Sequence, residues 1–205
     1  MIFKIYRLLS MVVLALILGT IQSNVLAQTT SGLSVPKEKI LGLYINIQAP
    51  IDSVWSRFSG EKGIVKFFAP ACRFEPKPMG RLDIYFAPDA PAGQRGAEDN
   101  IVLAIQDKKM ISFTWDAPPQ WPDIRKQRTL VTLRFYPTTD SETLVTLTQT
   151  GWGLGEDWDA VYTYFENAWG GFVLPNLKYS LEVSDVDWNN FPQNAPKGLK
   201  PAAKF

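Results

Sequence analysis

Histidine is absent from this sequence, and cysteine occurs only once, at Cys72. The lack of histidine excludes a Ser-His-Asp triad, a Cys-His pair, a histidine general base and a histidine-ligated metal. One cysteine can form neither an internal disulfide nor a thiolate metal cage, so we interpret Cys72 as a small buried residue. The sequence therefore offers no recognisable catalytic residue, metal site or cofactor site.

An excess of charge of either sign is also missing. The net charge is +1, which gives no electrostatic reason to expect binding to nucleic acid or to an acidic membrane. We interpret the acidic groups at 98–99, 156–159 and 185–187 as a loop, the first turn of a helix and a solvated tail. The last group lacks the length and the glycine of a calcium loop. The basic run at 125–128 is interpreted as a solvated rim.

Aromatic residues, in contrast, are abundant. They make up 13% of the chain and include seven tryptophans. Because each aromatic side chain buries a large area, such a surplus favours a large core or an apolar cavity. The length of 205 residues and the 46% content of hydrophobic residues suggest one domain with extensions.

The first 27 residues are typical of a secretory signal peptide. Lys4 and Arg7 form the positive start, an apolar run follows from Leu8 to Ile21, and cleavage is expected after Ala27. The run is shorter than the about 20 apolar residues that a spanning helix needs, although an uncleaved membrane anchor is the alternative. The sequence therefore predicts an exported protein, periplasmic or secreted, without stable membrane insertion after cleavage.

The mature chain divides into three parts by composition. Residues 28–37 are predicted to be a linker, 38–183 a domain and 184–205 a C-terminal tail. Within the tail, Trp188 or Phe191 could dock on the domain.

Alternation of apolar and polar residues predicts most of the domain's strands. A first strand at 39–47 is followed by short helices that end near Phe58 and cover 61–68. Further apolar strand faces are predicted at Leu82-Ile84-Phe86, Ile101-Leu103-Ile105, Ile111-Phe113-Trp115, Val131-Leu133-Phe135 and Val145-Leu147-Gln149. Because mostly short turns connect these strands, we expect an antiparallel sheet.

The end of the domain changes to a helical period. Trp158, Tyr162, Phe165, Trp169 and Phe172 recur at intervals of three and four residues, which predicts an amphipathic helix with an aromatic stripe. The glycines at 170–171 and the proline at 175 are expected to kink or break this helix.

Three segments in this order carry a family resemblance. They are Ile45 to Trp55 (INIQAPIDSVW), Lys77 to Arg81 (KPMGR) and Thr148 to Gly170 (TQTGWGLGEDWDAVYTYFENAWG). They resemble the START-like, or SRPBCC, superfamily, and within it the branch of the activator of heat-shock-protein ATPase, although Met79 replaces the usual first glycine of the turn. The resemblance covers about residues 38–183. It implies an α+β helix-grip fold, in which a curved antiparallel sheet of about six or seven strands wraps around a long C-terminal helix and two short helices follow the first strand.

The implied fold places a cavity between the sheet and the C-terminal helix. The side chains expected to line it are Phe113, Trp115, Leu133, Gln149, Tyr162, Phe165 and Trp169. Gln149 would be a polar group that orients a ligand, or it could be bonded to a backbone group at a strand end. Each of these residues could instead be ordinary core.

The resemblance and the export signal together leave three hypotheses. The first is a carrier or sensor of an apolar small molecule, lipid-like or aromatic, with no catalysis. The second is an enzyme resembling polyketide cyclases, in which only a carboxylate or a tyrosine such as Tyr162 could do acid–base work. The third is a protein-interaction module like the ATPase activators, which export would separate from cytosolic ATP. The sequence leaves the oligomeric state open.

Overall fold

A sheet followed by one long helix accounts for most of the chain that the structure describes. The computed structural model describes residues 37–189 and 191–205, so the predicted signal peptide (1–27) and residues 28–36 of the predicted linker lie outside the described residues. The strands are β1 (Leu41–Ile47), β2 (Ala71–Phe74), β3 (Arg81–Tyr85), β4 (Gly96–Gln106), β5 (Met110–Trp115), β6 (Thr129–Thr139), β7 (Glu142–Thr150) and β8 (Ala203–Lys204). The helices are α1 (Ile51–Ser56), α2 (Glu61–Ile64), α3 (Pro122–Arg125), α4 (Glu156–Ala168) and α5 (Leu174–Glu182), with a π-helical turn (Trp169–Val173) between the last two.

The strands form one antiparallel sheet in the order β2-β3-β4-β5-β6-β7-β1-β8. The first strand therefore lies beside the last long strand, and Leu43 pairs with Leu147 and Ile45 with Val145. These side chains are buried on the face that meets the C-terminal helix. The curved sheet does not close, and the predicted α+β helix-grip fold is confirmed. The short strands β2 and β8, which the alternation did not predict, bring the described sheet to eight strands.

Strand β4 differs from its prediction in the face that it buries. The apolar alternation predicted Ile101, Leu103 and Ile105 on the inner face, yet Leu103 is exposed and Val102 is buried beside Phe113. The register shifts between Val102 and Ala104, so inner and outer positions exchange along the strand. Polar residues occupy the inner positions before the bulge, which is why alternation of apolar residues gave the wrong face.

The C-terminal helix passes its glycines and proline without a break. The turn at Trp169–Val173 is π-helical, and the N–H of Leu174 donates to the carbonyl of Trp169. Because Pro175 has no N–H, the carbonyl of Gly170 has no donor from the helix. The N–H of Ala202 donates to this carbonyl at 2.9 Å. The predicted break is therefore replaced by a wider turn that the C-terminal residues complete.

The residues after the helix pack on the domain. The N–H of Val186 donates to the carbonyl of Lys66 at 2.9 Å, and the indole N–H of Trp188 donates to the carbonyl of Val65 at 2.6 Å. Strand β8 then pairs with the outer edge of β1. Within residues 37–189 and 191–205, no helix has the length and apolar character needed to cross a membrane.

The turn before β3 has a residue that its backbone does not favour. Met79 has φ +62°, in the left-handed region that is usually occupied by glycine. The next residue must be glycine, because a Cβ on Gly80 would lie 2.1 Å from the carbonyl oxygen of Glu75. Met79 is exposed, and its N–H donates to the carbonyl of Val102 at 2.8 Å. A hydrogen bond to β4 therefore holds the turn in this conformation.

Candidate functional site

An apolar pocket of about 390 Å³ lies between the C-terminal helix, the strand β5 and the residue that follows β3. Its size falls in the lower part of the range for small-molecule sites. It opens to solvent at one side, and its lining side chains are apolar except for Asn167, the hydroxyl of Tyr164 and the indole N–H groups of Trp115 and Trp169. The lining residues are Phe68, Phe86, Trp115, Tyr164, Phe165, Asn167, Ala168, Trp169, Phe172 and Val173.

Three aromatic rings that pack against one another form the base of this pocket. The ring centroid of Trp169 lies 5.0 Å from that of Trp115 and 5.6 Å from that of Phe68. All three side chains are buried, whereas Phe86 at the rim is 44% exposed and contacts Phe172 across the opening. The pocket therefore has a rigid aromatic base and a rim that water reaches.

A hydrogen-bonded chain fixes the base from behind. The indole N–H of Trp169 donates to Gln149 Oε1 at 2.8 Å, and Gln149 Nε2 donates to Thr129 Oγ1 at 2.8 Å. The Thr129 hydroxyl donates in turn to the carbonyl of Trp115 at 3.0 Å. Gln149 is fully buried. Both polar atoms of its amide bond to side chains, and the strand-end backbone group that the sequence allowed is not among their partners.

The seven residues predicted to line a cavity separate into three groups. Trp115, Phe165 and Trp169 line the pocket. Phe113, Leu133 and Gln149 are buried in the core behind it. Tyr162 lies outside the pocket, where its hydroxyl donates to the carbonyl of Ile40 and the ammonium group of Lys39 sits 4.2 Å above its ring. Ligand contact by any of the seven stays a prediction.

The alternation could not identify several lining residues. Phe68 follows α2 in an irregular segment, whereas Phe86, which lies directly after β3, was part of the predicted apolar face of that strand. Phe172 belongs to the predicted aromatic stripe of the helix, so the sequence could have identified it as a lining residue. Tyr164 and Asn167 lie off the stripe and line the opening.

A second pocket of about 80 Å³ adjoins the first and ends in charged side chains. Asp116, directly after β5, lies 2.7 Å from the guanidinium of Arg125 at the end of α3. Glu98 of β4 binds Arg95 at 2.7 Å and lies 3.8 Å from Arg125. Two interpretations are corrected here, because Glu98 is a buried strand residue and Arg125 is largely buried rather than part of a solvated rim. A search for alternating apolar residues cannot detect such buried charged side chains.

The two buried carboxylates have opposite pKa shifts. Burial raises the pKa of Asp116, while the hydrogen bond from Asn100 and the charge of Arg125 oppose the rise. Burial also acts to raise the pKa of Glu98, but the N–H of Gly93 and the groups of Arg95 outweigh it and leave this pKa below its usual range. Glu98 is therefore firmly anionic, and Asp116 is more readily protonated.

Cys72 is unsuited to nucleophilic chemistry. Burial, and to a lesser extent the charge of Glu61, raises the pKa of its thiol to about 12. Its sulfur lies 3.8 Å from the carbonyl oxygen of Glu61. The thiolate is therefore scarce at neutral pH, although Cys72 is half-buried and not the fully buried residue that the sequence predicted.

Comparison with known proteins identifies a family for this chain. A model of the family described as "Activator of Hsp90 ATPase homolog 1-like protein" matches residues 48–182. This range includes β2 to β7, the helix after them and every residue that lines the apolar pocket. A search of curated protein sequences finds no match.

Solved structures share the fold at low identity. Protein MLL2253 from Mesorhizobium loti is 22% identical, with a TM-score of 0.57 over 72% of this chain and 99% of that chain. The Aha1 dimer from Colwellia psychrerythraea is 17% identical, with a TM-score of 0.54 over 71% and 98%. CalU16 from Micromonospora echinospora is 16% identical, with a TM-score of 0.53 over 74% and 80%. These likenesses show the architecture alone.

Proposed function

The chain belongs to the Activator of Hsp90 ATPase homolog 1-like family, and from that premise we propose that it is an exported protein that binds an apolar small molecule, lipid-like or aromatic. The observation that carries the proposal is the aromatic pocket of about 390 Å³ between helix and sheet. Its base is fixed by packing and hydrogen bonds, so a ligand meets a preformed apolar surface. Export is proposed from the sequence of residues 1–27.

A protein purified from an exporting host is expected to begin at Gln28 and to carry its ligand. Native mass spectrometry of the intact protein measures both, because the mass gives the start of the chain and the excess mass gives the bound molecule. Extraction then identifies the ligand class. A chain that keeps residues 1–27 contradicts export, and a mass without excess, combined with no thermal shift in a lipid and aromatic library, contradicts ligand binding.

Filling the pocket is expected to abolish binding of a neutral apolar dye. Ala168 lines the pocket on α4, so Ala168→Phe places a ring in the ligand's space. Ala160 is exposed on the same helix and does not line the pocket, which makes Ala160→Phe a matched control. Titration with N-phenyl-1-naphthylamine is expected to show at least about tenfold weaker binding for Ala168→Phe and no change for Ala160→Phe. Equal binding by both variants would place the dye elsewhere.

The enzyme alternative retains one specific support. Asp116 is a buried carboxylate in the pocket that adjoins the apolar one, and its raised pKa is a property that acid–base catalysts use. Its ion pair with Arg125 and its hydrogen bond from Asn100, at 2.8 Å, hold it in place as a fixed polar group. The carrier proposal therefore keeps the larger support, and turnover of a bound molecule recovered by extraction would favour the enzyme.

A further inference from the structure

The two pockets are adjacent and share part of their walls. Four side chains line both of them: Phe86, Trp115, Tyr164 and Phe165. The larger pocket is almost entirely apolar, and the smaller one of about 80 Å³ contains Asp116 and Arg125. A molecule that fills the aromatic pocket can therefore extend a small group toward this ion pair.

The four charges that form ion pairs at this end of the space balance one another, and Arg128, beyond ion-pair distance, makes the smallest of the contributions to the pKa of Asp116. Two carboxylates, those of Asp116 and Glu98, face two guanidinium groups, those of Arg125 and Arg95, across contacts of 2.7 to 3.8 Å. A charged group on the ligand would lose its hydration and would upset this balance without a counter-ion. The site therefore favours a neutral group.

Hydrogen-bonding capacity remains on both partners of the ion pair. Asp116 accepts hydrogen bonds from Asn100 Nδ2 at 2.8 Å and from the N–H of Glu98 at 3.3 Å, and it also contacts Arg125. A carboxylate has about four acceptor positions, so Asp116 can accept a further hydrogen bond. Arg125 donates to the carbonyls of Ala117 and Gly96, and no residue in 37–189 or 191–205 accepts from its Nε–H. A hydroxyl group donates and accepts at once, so it can bond to both residues.

Resting on the ligand-binding function proposed above, we propose that the ligand is a neutral amphiphile, whose apolar body fills the aromatic pocket and whose hydroxyl group lies against Asp116 and Arg125. The large pocket accounts for affinity through apolar burial. The small pocket selects for the polar end, because a ligand without a hydroxyl leaves the ion pair desolvated and gains no bond there.

The test compares two probes that differ only in a hydroxyl group, 4-butylphenol and butylbenzene, each displacing N-phenyl-1-naphthylamine from the protein purified from an exporting host. The wild-type protein is expected to bind the phenol about tenfold more tightly, because a hydrogen bond to a charged group outweighs the hydration that the hydroxyl loses. In Asp116→Asn and in Arg125→Lys, this preference is expected to fall to about threefold or less. Lys126→Gln changes an exposed residue next to Arg125 and is expected to keep the preference.

Each remaining outcome overturns a stated part of the proposal. If both probes bind equally to the wild-type protein and Ala168→Phe abolishes both, ligand binding stands and the hydroxyl assignment is wrong. If 4-butylbenzoate binds more tightly than the phenol, the neutrality of the site is wrong. If the dye and both probes fail to bind, the proposed function falls, and the inference falls with it. The wild-type comparison decides the hydroxyl assignment even if a variant does not fold.

Discussion

Replacing Trp169 with alanine is expected to lower the free energy of unfolding by about 3–5 kcal/mol. The side chain is 1% exposed and packs against Trp115 and Phe68, with ring centroids 5.0 and 5.6 Å away. Because the space left behind would merge with the existing pocket, the surrounding helix cannot close it without moving away from the sheet. Urea denaturation of the mature protein measures the loss.

The conservative variant Trp169→Phe separates packing from hydrogen bonding. A phenyl ring retains most of the buried apolar area but has no N–H to donate to Gln149 Oε1, which is fully buried. An unpaired buried acceptor costs about 1–3 kcal/mol. We therefore expect a loss of that size for the phenylalanine variant, smaller than for alanine, and a similar loss for Gln149→Leu.

Phe86→Ala is the control that removes an aromatic ring from the rim of the pocket instead of from its base. Phe86 lines the same pocket, but it is 44% exposed and lies at the rim. Its removal is expected to cost less than about 1 kcal/mol, since exposed rings contribute little to stability. A loss below about 1 kcal/mol for Trp169→Ala would instead mean that the side chain is hydrated and loosely packed, and the aromatic base would then not be core.

The strands that bury one regular face were predictable from the sequence. Leu41, Leu43, Ile45 and Ile47 alternate with less apolar residues, and all four are buried on the inner face of β1. The helix was predictable for the same reason, because its aromatic stripe follows one period. In both cases the residues that fix the structure are close neighbours in sequence, so a local pattern carries the information.

The parts that the sequence did not reveal depend on distant partners. Glu98 and Arg125 are buried together although each lies in a stretch that reads as polar surface. The Gly170 carbonyl in the π-helical turn accepts its hydrogen bond from Ala202, in the C-terminal segment. Likewise, the hydrogen-bond partners of the Gln149 side chain, Thr129 and Trp169, lie on different elements. A pattern within one segment of the sequence cannot reveal contacts between residues of different segments.

Removing residues 184–205 is expected to lower the free energy of unfolding by about 2–4 kcal/mol. The segment buries Val186 and partly buries Trp188 and Phe191, which cover the pocket-lining Phe172 at centroid distances of 6.3 and 5.8 Å. The magnitude follows from burial of one complete and two partial apolar side chains, less the entropy of ordering the segment. Urea denaturation measures the loss, and a shorter truncation shows which part of the segment causes it.

Removal of residues 201–205 alone is expected to cost about 1 kcal/mol and to promote self-association. It deletes β8, the ion pair of Lys204 with Glu166, and the N–H that satisfies the Gly170 carbonyl. The exposed ion pair contributes little, and the carbonyl can bond to water at the helix surface. The unpaired edge of β1, however, becomes a template for another strand.

Sedimentation at rising protein concentration should therefore separate the two functions of the segment: residues 184–200 stabilise the pocket wall, and residues 201–205 protect the sheet edge. A short truncation that associates no more than the intact protein but loses as much stability as the long one would contradict this division, since it would make completion of the π-helical turn the main contribution of the segment.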